Sequence, residues 1–166
     1  MLRRRKGKAL GSAFELRFEG RDELDFEGEP VACGRILVGD FHEPFDASLM
    51  HWTRREYEAH WRAQARRLAE RGGAASFVTS YNGPGAVHLT WPAWREGSRV
   101  VLHNQLLISD QLESPFDPAQ PHLSVGPRLS VAQDGEPISE WETTVAAVAQ
   151  FAAHGPSSPQ SPPNVR

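Results

Sequence analysis

The stretch TRREYEAHWRAQARRLAERGG, residues 53–73, limits the fold of this chain more than any other segment. Thr53 with Glu56 three residues later forms a capping box, Trp52 and Tyr57 occupy the two positions of a hydrophobic staple, and Gly72 and Gly73 close the segment. Between those ends Tyr57, Trp61, Ala65 and Leu68 recur every three or four residues, so one apolar stripe needs a surface to cover it. Arg54, Arg55, Arg62, Arg66 and Arg67 mostly face elsewhere and read as a solvated face rather than a ligand patch.

On both sides of the helix the periodicity changes from three-to-four to two. AFELRFE, residues 13–19, alternates apolar with charged side chains, and CGRILVGDF reads as a short strand ended by Gly39. Between them GRDELDFEGEP, residues 20–30, is acidic and holds two glycines and a proline, which suits a loop or frayed hairpin. After the helix, ASFVTSY and AVHLTW flank the turn NGPG, PAWREGS supplies a second turn, and RVVLHNQLLIS is a further strand. Three consecutive strands with short connections are expected to be antiparallel neighbours. Residues 113–128 are proline-rich and extended, RLSVAQDGEP ends in an Asp-Gly turn, and Ser139 with Glu142 gives a second capping box for a closing helix to about Ala153. The expectation is an α+β fold, a single domain with a mainly antiparallel β-sheet and two packed α-helices. Residues 1–10 form a basic, flexible leader, 11–154 the domain, and 155–166 a disordered Pro/Ser-rich tail. There is no internal repeat. With 166 residues and 39% hydrophobic content, one core is affordable and two are not.

Charge excludes some functions. Residues 1–8 carry five basic groups and no acid, 9–46 three basic and ten acidic, 47–100 eight and four, 101–154 one and seven. Beyond the leader the body is acidic except around the helix. Nucleic-acid binders show the opposite, a broad Lys/Arg surface that displaces counterions from phosphates. An acidic surface suits a basic partner, though acids also simply keep domains soluble. MLRRRKGK is followed by Glu15 and Arg17 before any seven-residue apolar core, so a signal peptide is not expected, nor is a membrane span. The lone Cys33 cannot form an internal disulfide, which fits a reducing cytoplasm.

Local constellations for catalysis are scarce. There is no Gly-x-Ser-x-Gly elbow, no Walker loop and no His-Glu-x-x-His helix. Cys33 enters an apolar strand without an activating neighbour and reads as buried filler. The seven histidines are not spaced to place two imidazoles on adjacent positions of one element, so no metal and no cofactor is expected. Asp40, Glu43 and Asp46 in VGDFHEPFDASLMHW, residues 38–52, lack the spacing of a calcium loop. Phe41, Phe45 and Leu49 recur every four residues there, which suggests a short helical or turn segment that buries its aromatics and shows its acids. Apolar anchors inside an acidic rim make a recognition face; a core-packing loop with incidental acids is the plainer alternative. Trp91 and Trp94 are expected to pack rather than to bind a ligand.

Five segments in order, GRILVGDFHEPF, LMHWTRREYEAHW, LTWPAW, VVLHNQLLI with a downstream SPFDP, and QDGEPISEW, resemble the CdiI-type immunity proteins of bacterial contact-dependent growth inhibition systems. The resemblance runs from about residue 34 to residue 142. It implies a non-catalytic cytoplasmic protein that binds the C-terminal domain of a toxin, in some cases a ribonuclease, and covers its active site. On that reading Asp40, Glu43 and Asp46, with Asp110, Glu113 and Asp117 from the second acidic region, are the toxin-binding candidates. The competing readings are a small hydrolase using His42 with Asp40 or Glu43, and a scaffold that binds a partner without inhibiting it.

Overall fold

In the computed structural model, which describes residues 13–154, the capped helix is α1, Arg54–Arg71. Both bonds of the capping box are present: Glu56 N–H donates to Thr53 Oγ1 at 3.2 Å and Thr53 N–H to Glu56 Oε2 at 2.7 Å. The Trp52 and Tyr57 rings meet at 5.0 Å, and the Gly72 N–H closes the last turn on Leu68 O. The leader and tail expected at the termini lie outside the described residues.

The N-terminal half builds a four-stranded antiparallel sheet from β1 (Phe14–Phe18), β2 (Glu23–Leu24), β3 (Pro30–Val38) and β4 (Phe41–Ser48). β3 is central, with β4 on one side and β1 and β2 on the other. Alternation decides what each face does. Phe14, Leu16, Ala32, Ile36, Val38 and Ala47 are buried, while the intervening Glu15, Arg17, Cys33, Arg35, His42 and Asp46 line an open charged face. Gly34 has a packing reason: a Cβ there would run into the Phe45 ring and stand 2.8 Å from Arg17 O.

The segment 38–52 is not helical. Phe41, Phe45 and Leu49 recur at four, which satisfies a strand's period of two as well as a helix's, and pairing with β3 decides for the strand. Val38 opposes Phe41, so Gly39 and Asp40 make a two-residue turn with Gly39 at φ +60°.

The second sheet is antiparallel too: β5 (Ala74–Ser80), β6 (Val87–Glu96), β7 (Arg99–Leu102), β8 (Gln105–Ile108) and β9 (Trp141–Thr144). β5, β6 and β7 are consecutive neighbours, as their short connections require. β6 does not stop at Pro92. The strand tolerates the missing N–H because its far-side ladder is interrupted there: β7 pairs with Ala93–Glu96 and β8 with Val87–Thr90, the break falling at His103 and Asn104. Pro92 still accepts a bond from His103 N–H at 3.0 Å. The run RVVLHNQLLIS is therefore two strands, both on one side of β6.

α1 lies against β5 and uses polar side chains where an edge strand would expose its backbone. Val78 N–H donates to His60 Nε2 at 2.8 Å, Ser76 N–H to Gln64 Oε1 at 3.2 Å, and Trp61 Nε1 donates to Val78 O at 2.8 Å. α2 (Val145–Ala153) packs beside α1, where the Arg62 guanidinium sits 5.0 Å over the Phe151 ring and donates to Phe151 O. Its cap is Thr144, whose hydroxyl accepts from Ala147 N–H. The box expected from Ser139 and Glu142 does not form, because residues 141–144 pair with β7 as β9 and the helix starts only afterwards. The core joins both sheets and helices: Phe14 meets Phe77 and Phe151, Trp61 meets Phe18 and Phe45, and Phe41 stacks on Trp141 at 4.6 Å.

Candidate functional site

β8 is paired on one side only among the described residues, and its apolar side chains are not all inside. Ile108 opposes Val87 and Leu106 opposes Leu89, and directly opposed residues of antiparallel strands share a face. The result is a four-residue apolar stripe in which Leu106 is 62%, Val87 44% and Ile108 38% exposed, with Leu89 half-buried. The alternate residues His88 and Leu107 are buried on the other face, His88 against the Tyr81 and Phe116 rings. Clustered exposed apolar side chains next to an open strand edge are what a docking surface offers.

Three of the expected acids flank this stripe. Asn104, just before β8, donates from Nδ2 to Glu43 Oε2 at 3.2 Å, which sets Glu43 at the start of the strand. Asp110 and Glu113 follow its end, both exposed. No ion pair among the described residues engages these three. The remaining candidates are elsewhere. Asp40 stands on the β3–β4 turn; Asp46 is on the open charged face, where it accepts from Cys33 Sγ at 3.2 Å; Asp117 holds its own turn, accepting from Ala119 N–H at 2.9 Å. The six acids are thus not one rim, because Glu43 and Asp46 are three residues apart on a strand and point to opposite faces. The apolar residues Val87, Leu106 and Ile108 went unrecognised in the sequence; the signal was the Asn-Gln interruption in VVLHNQLLIS, which resets the strand.

Other acids of the C-terminal region are neutralised within the fold. Arg128 grips Glu140 at 2.6 and 3.1 Å and reaches Glu96 at 2.8 Å, and Arg99 joins Glu96 to Glu142. The Arg128 guanidinium, helped by His103, holds the Glu140 carboxyl below the usual carboxylate range. Cys33 is half-exposed on the outer sheet face rather than core filler, and the hydrogen bond to Asp46, with burial and nearby acids, pushes its thiol up to about 11. Such a thiol has little thiolate to act as a nucleophile.

His42 and Glu43 do not converge. Glu43, its neighbour on β4, points to the opposite face, and the contact of His42 Nδ1 is with Arg35 Nη1 at 2.9 Å. Of the other histidines, His60 lies on the β5 backbone and His103 on Glu140, while His51 and His88 both contact the Tyr81 ring. One grouping among the described residues brings three possible ligand atoms within 4.8 Å, namely Asp25, Glu27 and Glu29, and Asp25 is already occupied by two backbone N–H groups. Trp91 packs on Phe41 and Trp141, while Trp94 donates to Gly126 O. No helix among the described residues is long and apolar enough to cross a membrane.

A closed α+β core carrying an apolar stripe between carboxylates is the build of a small protein-docking domain. The chain belongs to the family described as the CdiI N-terminal domain, which matches residues 47–151. It is similar to the immunity protein CdiI of Enterobacter cloacae subsp. cloacae, 24% identical over 136 residues that cover 81% of this chain and 93% of that one. Its fold matches a chain of the CdiA-CT/CdiI toxin and immunity complex from Enterobacter cloacae, with a TM-score of 0.76 and 23% identity over 84% of this chain and 95% of the other. The α+β class expected from the sequence and the resemblance to CdiI-type immunity proteins both agree with these matches.

Proposed function

We propose that this chain is an immunity protein that binds the C-terminal domain of a cognate toxin and neutralises it by covering its active site. Family membership supports the class, and the observation that carries the docking site is the exposed stripe of Val87, Leu106 and Ile108 flanked by Glu43, Asp110 and Glu113. Apolar side chains supply affinity at the centre of such a contact and charges at its rim set orientation and encounter rate. A ribonuclease suits this surface, because a cleft that holds RNA phosphate is cationic and an acidic rim can occupy it. Inhibition is by occupancy, without turnover, in the cytoplasm where an RNA-cleaving toxin acts.

Co-expression with the toxin domain encoded beside this chain tests the assignment. The wild-type chain restores growth and co-purifies with the toxin; the Leu106→Asp/Ile108→Asp double variant weakens the complex by about a hundredfold, as loss of central anchors does. Charge reversal at Glu43, Asp110 and Glu113 slows association, most at low salt. A double variant that binds as tightly as wild type removes the β8 face from the reading.

A further inference from the structure

The most exposed large apolar side chain among the described residues lies far from β8. Phe26 is 96% exposed, and Leu24, two residues before it, is 71% exposed. An aromatic ring left in water at a frayed loop would mean little; this one is held. Leu24 pairs with Pro30 and Glu23 with Val31, so the segment is a hairpin between β2 and β3. Asp25 Oδ1 accepts from the N–H groups of Glu27 and Glu29, both at 2.9 Å, while Asp25 N–H donates to Glu29 O and Gly28 N–H to Asp25 O. Gly28, at φ +83°, supplies the left-handed residue the turn requires. The base is clamped by the first residue of α1: Arg54 donates to Asp22 Oδ1 and to Gly20 O, and its guanidinium lies 5.0 Å over the Phe18 ring.

We infer that this hairpin is a second anchor for the toxin, with Phe26 entering an apolar pocket rimmed by lysine or arginine side chains. The inference rests on the immunity reading above and extends it to a second contact. The ring is pre-organised, so binding it costs little ordering entropy. Glu27 and Glu29 are exposed on the same turn, their carboxylates grouped with that of Asp25 within 4.8 Å, and select a basic rim, since desolvating them against a neutral or acidic surface is unfavourable. One partner can reach both anchors. Glu43, near the start of β4, is beside β8; Ser48, at its end, opposes Val31 at the base of the hairpin, about 17 Å further along at 3.4 Å per residue. That span lies within an interface of ordinary size.

The test is calorimetric titration of the full chain into the purified toxin domain, comparing wild type, Phe26→Ala, and Leu123→Ala, a control 69% exposed elsewhere. Phe26→Ala is expected to weaken binding by about thirtyfold, the effect of losing a hot-spot aromatic, with an unchanged melting temperature because the residue is 96% exposed. Leu123→Ala stays within twofold. If wild type binds and Phe26→Ala binds within twofold of it, the hairpin is no anchor and the immunity reading survives. If the wild-type chain does not bind, both fall together.

Discussion

Trp61→Ala is expected to cost about 4 kcal/mol of folding stability. Trp61 is wholly buried on α1 and touches Phe18, Phe45 and Tyr57, so it joins the helix to β1 and β4, the strands on either side of β3. Its indole Nε1 also donates to Val78 O, which ties the same helix to β5 of the second sheet. Truncation removes the packing, leaves a cavity that the aromatic ring of Phe45 cannot fill without leaving Gly34, and orphans a buried carbonyl. A domain of this size has about 5–15 kcal/mol in total, so the variant sits near the folding threshold. Urea unfolding measures it. Trp61→Phe is the companion: it keeps most of the packing and loses the hydrogen bond, and is expected to cost about 1–2 kcal/mol. Equal stability of Trp61→Ala and wild type would contradict the contact of Trp61 with both sheets.

Acid is expected to destabilise the fold well above the carboxylate range, through His60. Burial pushes the His60 imidazole down to about 3, and its Nε2 accepts the Val78 N–H, a bond the protonated ring cannot accept. Between pH 6.5 and 3 the unfolded chain takes up a proton that the folded chain refuses, so stability falls as pH falls, at about 1.4 kcal/mol per pH unit. From pH 6.5 to pH 4 the loss is about 3 kcal/mol. Burial also lowers His88 and His122, and both act in the same direction. Glu19, Glu96 and Glu140 are lowered by their arginine partners; their contribution is intact above the unfolded carboxylate pKa and is lost only below it. The interval from pH 6.5 to 4.5 therefore belongs to the histidines. His60→Gln offers Oε1 to the same N–H without titrating, and urea unfolding at several pH values should show a flatter slope for it over that interval. Identical slopes would mean that His60 is hydrated in the native state.

The sequence made α1 plain because its signals are local: a cap, a staple and a stripe all lie within twenty residues. The β5–β6–β7 meander was legible for the same reason. Tertiary competition decided what was misread. Phe41, Phe45 and Leu49 fit either period, and only the β3 partner selects the strand. Ser139 and Glu142 form a capping pattern, yet pairing of residues 141–144 with β7 moves the cap to Thr144. The same logic limits the site. That acids mattered could be read from charge blocks, but the split of Glu43 from Asp46, and the consumption of Glu140 and Glu142 by Arg128 and Arg99, needed the register. The apolar stripe needed more still, because it depends on which strand β8 pairs with and on no element among the described residues covering that face.

Inhibition itself is measured as the activity of the cognate toxin domain titrated with the purified full chain. Complete inhibition is expected at one equivalent, with no consumption of the inhibitor and a shift of the titration to weaker inhibition for Leu106→Asp/Ile108→Asp. Full toxin activity at a large excess of the correctly folded wild-type chain would contradict it.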